Sequence, residues 1–138
     1  MGDNLIPNNT NAFDEVIPII DNARESAFRA VNRELINMYW EIGEYVSQRV
    51  ANGGWGKSVV KEFSEFIQSH YVGIRGFSTS NIWRMKQFYE TYNGNEKLAT
   101  LLRELPWSHN LQIMSCKTEE EREFYLTLSF KTAIPSVN

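Results

Sequence analysis

Ser78, Thr79, Ser80, Asn81, Arg84 and Gln87 fall within ten consecutive positions of a 138-residue chain, and their side chains are of the types that read nucleic acid. Arginine and asparagine can each make paired hydrogen bonds, to guanine and adenine edges respectively. Serine and threonine at a helix N-terminus suit a phosphate. Ser78 has the type and place of an N-cap, and Gly76 allows a sharp turn before it. At roughly 100° per residue, Ser80, Arg84, Gln87 and Thr91 form one stripe flanked by Asn81 and Trp83. Ile82, Met85, Tyr89 and Tyr92 recur on the other side, as a core face would. Lys57, Lys61, Arg75 and Lys86 surround this helix in sequence. From Arg49 to Lys86, six basic residues stand against Glu62 and Glu65, a local +4 within a chain of net charge −3, so the remainder sums to −7. That layout is expected if the middle of the chain faces phosphate.

Other chemistries find no footing. His70, His109 and Cys116 have no paired spacing, so no metal site is expected. No serine sits in a nucleophile elbow, and Cys116 has no evident base. Gly53, Gly54, Gly56 and Lys57 lack the strand and the hydroxyl residue of a phosphate loop and read better as a helix end. No lysine has an acidic residue two places before it, so the local signature of a metal-dependent nuclease is missing. Glu119, Glu120 and Glu121 suit the dipole of a helix N-terminus. Three of the four tryptophans are expected in the core, with Trp83, at the stripe border, the exception; no cofactor is expected.

The elements that would position these residues are helical. Length allows one domain, and 42% hydrophobic with 22% charged residues describes a globular chain. A long helix is expected from about Asp14 to Val50, with Pro18 in its first turn and a stripe of Ala27, Val31, Leu35, Met38, Ile42 and Val46. Phe28, Ile36, Tyr39 and Trp40 add a second apolar strip, which calls for cover from the domain or from a second copy. A second helix carries Val59, Phe63, Phe66, Ile67 and Tyr71 as its buried face and ends near His70, a packed or capping histidine. After a short glycine-containing connector comes the Ser78-capped helix, giving a helix-turn-helix with a connector longer than usual. Leu98 to Leu105 marks a fourth helix ended by Pro106, and another follows Trp107. Thr118 and Glu121 form a capping box for the last, whose apolar residues are Phe124, Tyr125 and Leu128. The expected fold is all-α, a single helical domain with a winged-helix-like core over residues 13–130, between a flexible segment at 1–12 and a flexible tail at 131–138. A single cysteine, no charged leader and no long apolar run favour a cytoplasmic protein away from membranes.

The ordered succession Ala23-Arg24, Ala27, Val31-Asn32, Glu34-Leu35-Ile36, Tyr39-Trp40, Ile42-Gly43, Gly54-Trp55-Gly56-Lys57, Gly76-Phe77-Ser78, Asn81-Ile82-Trp83-Arg84-Met85, Phe88-Tyr89 and Leu105-Pro106-Trp107-Ser108-His109 resembles the N-terminal domain of YhcG-type proteins. In that family this domain usually precedes a nuclease domain of the PD-(D/E)xK class, which the resemblance links to restriction-like DNA metabolism. The chain reaches only a short tail after the final helix, so nuclease activity is not carried over to it. The expected function is a DNA-binding accessory module, with helix 3, at about 79–92, as recognition helix. Lys57, Lys61, Arg75, Ser78, Thr79, Ser80, Asn81, Arg84, Lys86 and Gln87 are its expected DNA contacts. The alternative is an interaction module that dimerises or assembles with a nuclease partner.

Overall fold

The computed structural model describes residues 12–133; of the segments expected to be flexible, 1–12 and 131–138, residues 1–11 and 134–138 lie outside the described ones. Six helices follow in order: α1 (Val16–Gly53), α2 (Lys57–His70), α3 (Thr79–Tyr92), α4 (Glu96–Leu102), α5 (Trp107–Met114) and α6 (Glu119–Ala133). Among the described residues there is no strand, so the fold is all-α and the helix-turn-helix carries no β wing. Because α6 runs to Ala133, residues 131–133 are helical where a tail was expected.

The 38 residues of α1 span roughly 57 Å. Pro18 sits in the first turn, where its missing N–H costs no helical bond. At the other end Gly54 takes φ 73° and the Trp55 N–H reaches back to the Arg49 carbonyl at 3.3 Å, closing the helix with a left-handed cap. Ile36, Tyr39, Gly43 and Val46 make the buried face of α1. The expected stripe through Leu35, Met38 and Ile42 is therefore rotated, and the strip thought secondary faces the core. Gly43 explains the difference. A Cβ there would collide with the Met85 carbonyl, so the missing side chain lets the backbones of α1 and α3 approach directly.

The buried residues of α3 are Ile82, Met85, Phe88 and Tyr92, with Tyr89 only half-buried beside Trp40. Around this pair the core gathers Val60, Phe77, Leu98, Leu102, Leu105, Ile113, Met114 and Leu126. On α2 the fully buried residues are Val60 and Ser64. Val59, Phe63 and Ile67 lie at the margin, while Phe66 and Tyr71, expected inside, are exposed. A hydrogen bond turns the helix this way: Ser64 Oγ donates to the Phe77 carbonyl, drawing a polar residue into the interface. His70, expected to be packed or capping, is exposed in the last turn of α2 and stacks on Phe66.

Asn95 caps α4 by accepting from the Leu98 N–H at 3.2 Å. That helix ends at Leu102, three residues sooner than expected, and Leu105 is buried from the turn that follows. The capping box of α6 forms, with the Glu121 N–H donating to Thr118 Oγ1 at 3.1 Å. Its anchor, however, is Leu126; Phe124, Tyr125 and Leu128 are exposed.

Candidate nucleic-acid interface

Two glycines and one serine set the start of α3. Gly73 and Gly76 both take positive φ, 83° and 91°, in the connector over residues 71–78. At Gly76 a Cβ would also strike the Tyr39 hydroxyl, so only glycine fits. Ser78 then caps the helix, accepting from the Asn81 N–H at 3.1 Å. With Ile82, Met85 and Phe88 locked against α1, the opposite stripe must face outward. Ser80, Arg84 and Gln87 are exposed on it, and Thr91 is half-buried. None of the first three is engaged by another described side chain.

Asn81 is placed differently from the sequence expectation. Its Nδ2 donates to the Gly76 carbonyl at 2.6 Å, and its Oδ1 accepts from Trp107 Nε1 at 2.8 Å. Both ends of the carboxamide are used inside the protein, so it does not project with Arg84. Lys86 is also tied down: its Nζ lies 3.0 Å from Glu90 Oε1 and 5.8 Å from the Trp83 ring. Burial would raise the Glu90 pKa, but bonds from Ser47 and Lys86 and the lysine charge outweigh it and hold the carboxyl below its ordinary range. Trp83 is thus half-buried beneath a lysine rather than free to stack on a base.

Lys57, Lys61 and Arg75 are exposed. Helical geometry puts Lys57 and Lys61 on the same flank of α2 as Gln68. Gln68 Nε2 donates to the Phe77 carbonyl at 3.1 Å and to Ser64 Oγ at 2.9 Å. That flank is thereby fastened to the entry of α3, with Ser78 exposed and Thr79 half-buried beside it.

Several residues that hold the site were not singled out from sequence. Asn110 is fully buried and its Nδ2 donates to the carbonyls of Leu102, Leu105 and Pro106, satisfying the end of α4. Asn32 does the same from α1, donating to the carbonyls of Arg103 and Leu105. Polar residues at core-facing helical positions are the one signal that could have found them. A cleft of about 720 Å³ lies where Trp40 of α1 meets Tyr92, Asn93, Glu96 and Arg103. Arg103 is already committed there, over the Trp40 ring at 5.4 Å and bonded to Asn37 and Ala99. No group of three His, Cys, Asp or Glu residues suited to a metal occurs among the described residues, and no described helix is long and apolar enough to cross a membrane.

The model of a family described as DUF1016 N-terminal domain matches residues 15–134. The chain is similar to the protein named "Putative nuclease YhcG" of Escherichia coli (strain K12), with 31% identity over 96 residues covering 67% of this chain and 25% of that protein. The aligned part thus spans about a quarter of the length of the curated relative. No solved structure matches significantly.

Proposed function

The chain belongs to the DUF1016 N-terminal domain family, and on that premise we propose that it acts as a DNA-contacting accessory module of a nuclease system. The observation that carries this reading is the outward stripe of α3. Ser80, Arg84 and Gln87 are exposed and unengaged, while Asn81 and Lys86 beside them are tied down. A helix with one locked and one open polar face is the form in which a recognition helix meets a groove. Arg84 would contact a base edge, Gln87 and Ser80 a base or phosphate, and Ser78 and Thr79 a phosphate at the helix start. Lys57, Lys61 and Arg75 would supply the salt-dependent attraction.

The test is titration of a fluorescent duplex at low salt, comparing the chain with Arg84→Ala. Binding that weakens in the variant supports the reading. No binding, or equal binding by both proteins, removes it.

A second reading, assembly, is favoured by a separate observation. Phe13, Ile17, Ile19, Phe28 and Val31 at the N-terminal end are each more than half exposed. On this reading the first helix joins the domain to another copy or to a nuclease, and the two roles are compatible.

A further inference from the structure

From residue 12 to residue 31 every position is exposed except Glu25, which Arg29 engages at 3.3 Å. The long-range hydrogen bonds of α1 begin at Asn32, on the Arg103 and Leu105 carbonyls, and at Arg33, which grips both oxygens of Glu104. Sixteen residues of α1, roughly 24 Å at the usual rise, therefore project from the body, with residues 12–15 leading into them. A helix of that length with no other described element beside it is marginal in water, and this one holds large apolar side chains.

Phe13, Ile17, Ile20, Arg24, Ala27 and Val31 are separated by four, three, four, three and four residues, the spacing of a coiled-coil seam. Phe28 and Leu35 border it. At 100° per residue the seam lies well to one side of the Ile36, Tyr39, Gly43 and Val46 face that holds the body, so both can be covered at once. Charge is segregated along the projection. Asp14, Glu15 and Asp21 give its first half −3, and Arg24 and Arg29 against Glu25 give its second half +1. Two parallel copies would set three carboxylates beside three others; two antiparallel copies set the acidic half against the basic one.

We propose that the projecting half of α1 pairs antiparallel with the same segment of a second copy, as a two-fold symmetric dimer. The proposal rests on the assembly reading and names its partner. With the axis near residue 22, Phe13 meets Val31 of the second copy, Ile17 meets Ala27, and Asp21 comes within a turn of Arg24. A pairing of this length with its flanks covers on the order of 800 Å² per copy, the area a stable interface takes from each partner. Isologous contact between identical surfaces is the commonest oligomer geometry.

The experiment uses single-cysteine chains, Phe13→Cys and Val31→Cys, each with the native Cys116→Ser, mixed and mildly oxidised beside sedimentation of the unaltered chain. The expected results are a mass twice the 16.1 kDa of one chain and a disulfide formed between the two variants but not within either alone. Ile17→Glu with Ile20→Glu should weaken the dimer by at least about 100-fold and leave the thermal transition of the body unchanged. Same-site disulfides in Phe13→Cys alone would mean parallel pairing and overturn the proposal while leaving the assembly reading in place. A chain monomeric at about 100 µM, far above typical working affinities, overturns it as well. Capture of a separately expressed YhcG-type nuclease domain by that monomer would then retain assembly without self-pairing.

Discussion

Trp107 Nε1 donates to Asn81 Oδ1 at 2.8 Å, so the first residue of α5 is pinned to the first turn of α3. The other end of the same carboxamide holds the Gly76 carbonyl, and one side chain fixes the connector, α3 and α5 together. Asn81→Ala strands an indole N–H and a carbonyl in a half-buried place and should cost about 2–3 kcal/mol. Asn81→Asp keeps the acceptor for Trp107 but cannot donate to Gly76, so it should recover only part. Urea denaturation of the three proteins checks the order; a variant as stable as the parent would remove the brace.

Gly43 should be intolerant even of alanine. Alanine is the better helix former by about 1 kcal/mol, yet a Cβ at this position collides with the Met85 backbone, which cannot swing aside as a side chain can. Gly43→Ala is therefore expected to destabilise by about 3 kcal/mol or more through separation of α1 and α3. At Gly53 the nearest atoms to an added Cβ are 3.8 Å away, so Gly53→Ala serves as the control and should be nearly neutral. Equal melting temperatures for the two variants would contradict the packing account.

These two residues also mark what the sequence could and could not reveal. The start of α3 was legible because Ser78, Gly76 and the Ile82–Met85 spacing are local signals, and the capping box at Thr118 likewise. The faces of α1 and α2 were not. A hydrophobicity pattern gives no weight to Gly43 and counts Ser64 as polar, although close backbone approach and a bond to Phe77 bury them both. Asn81 shows the same limit at the candidate site. Its type suits a base edge, but its partner Trp107 is 26 residues away, and only the fold brings the two together.

Alkaline pH should unfold the domain earlier because of Tyr92. Burial pushes its hydroxyl from 10.0 up to about 12, with Arg122 pulling it partly down and Cys116 pushing it up. Between those values the unfolded chain releases the phenol proton and the folded chain keeps it. The stabilisation is thus complete below pH 10 and is lost as pH rises towards 12, at about 1.4 kcal/mol per pH unit. Burial raises Tyr39 in the same direction. Tyr92→Phe should flatten the fall between pH 10 and pH 11.5, and because the Tyr92 hydroxyl is buried without a hydrogen-bond partner among the described groups, it should also match or exceed the parent at pH 7. An equally steep decline in the phenylalanine variant would exclude Tyr92 as the cause.

The two kinds of exposed residue on the helix-turn-helix should separate under salt. Arg84 lies on the outward stripe of α3, where it could discriminate bases, whereas Lys57 and Lys61 lie on α2, where they could only neutralise phosphates. Lys57→Ala with Lys61→Ala should weaken binding to every duplex alike and reduce the slope of log K against log salt by about 1.8, since each released phosphate contributes roughly 0.9. Arg84→Ala should instead lower affinity for the preferred sequence by about tenfold or more while narrowing the gap to random duplex. Asn81, held by Gly76 and Trp107, should act on neither quantity beyond its effect on folding. Binding isotherms at four salt concentrations, on a selected and a scrambled duplex, measure both slopes at once. If the lysine and arginine variants behave identically, α3 does not read bases and its open face serves only as a charged platform.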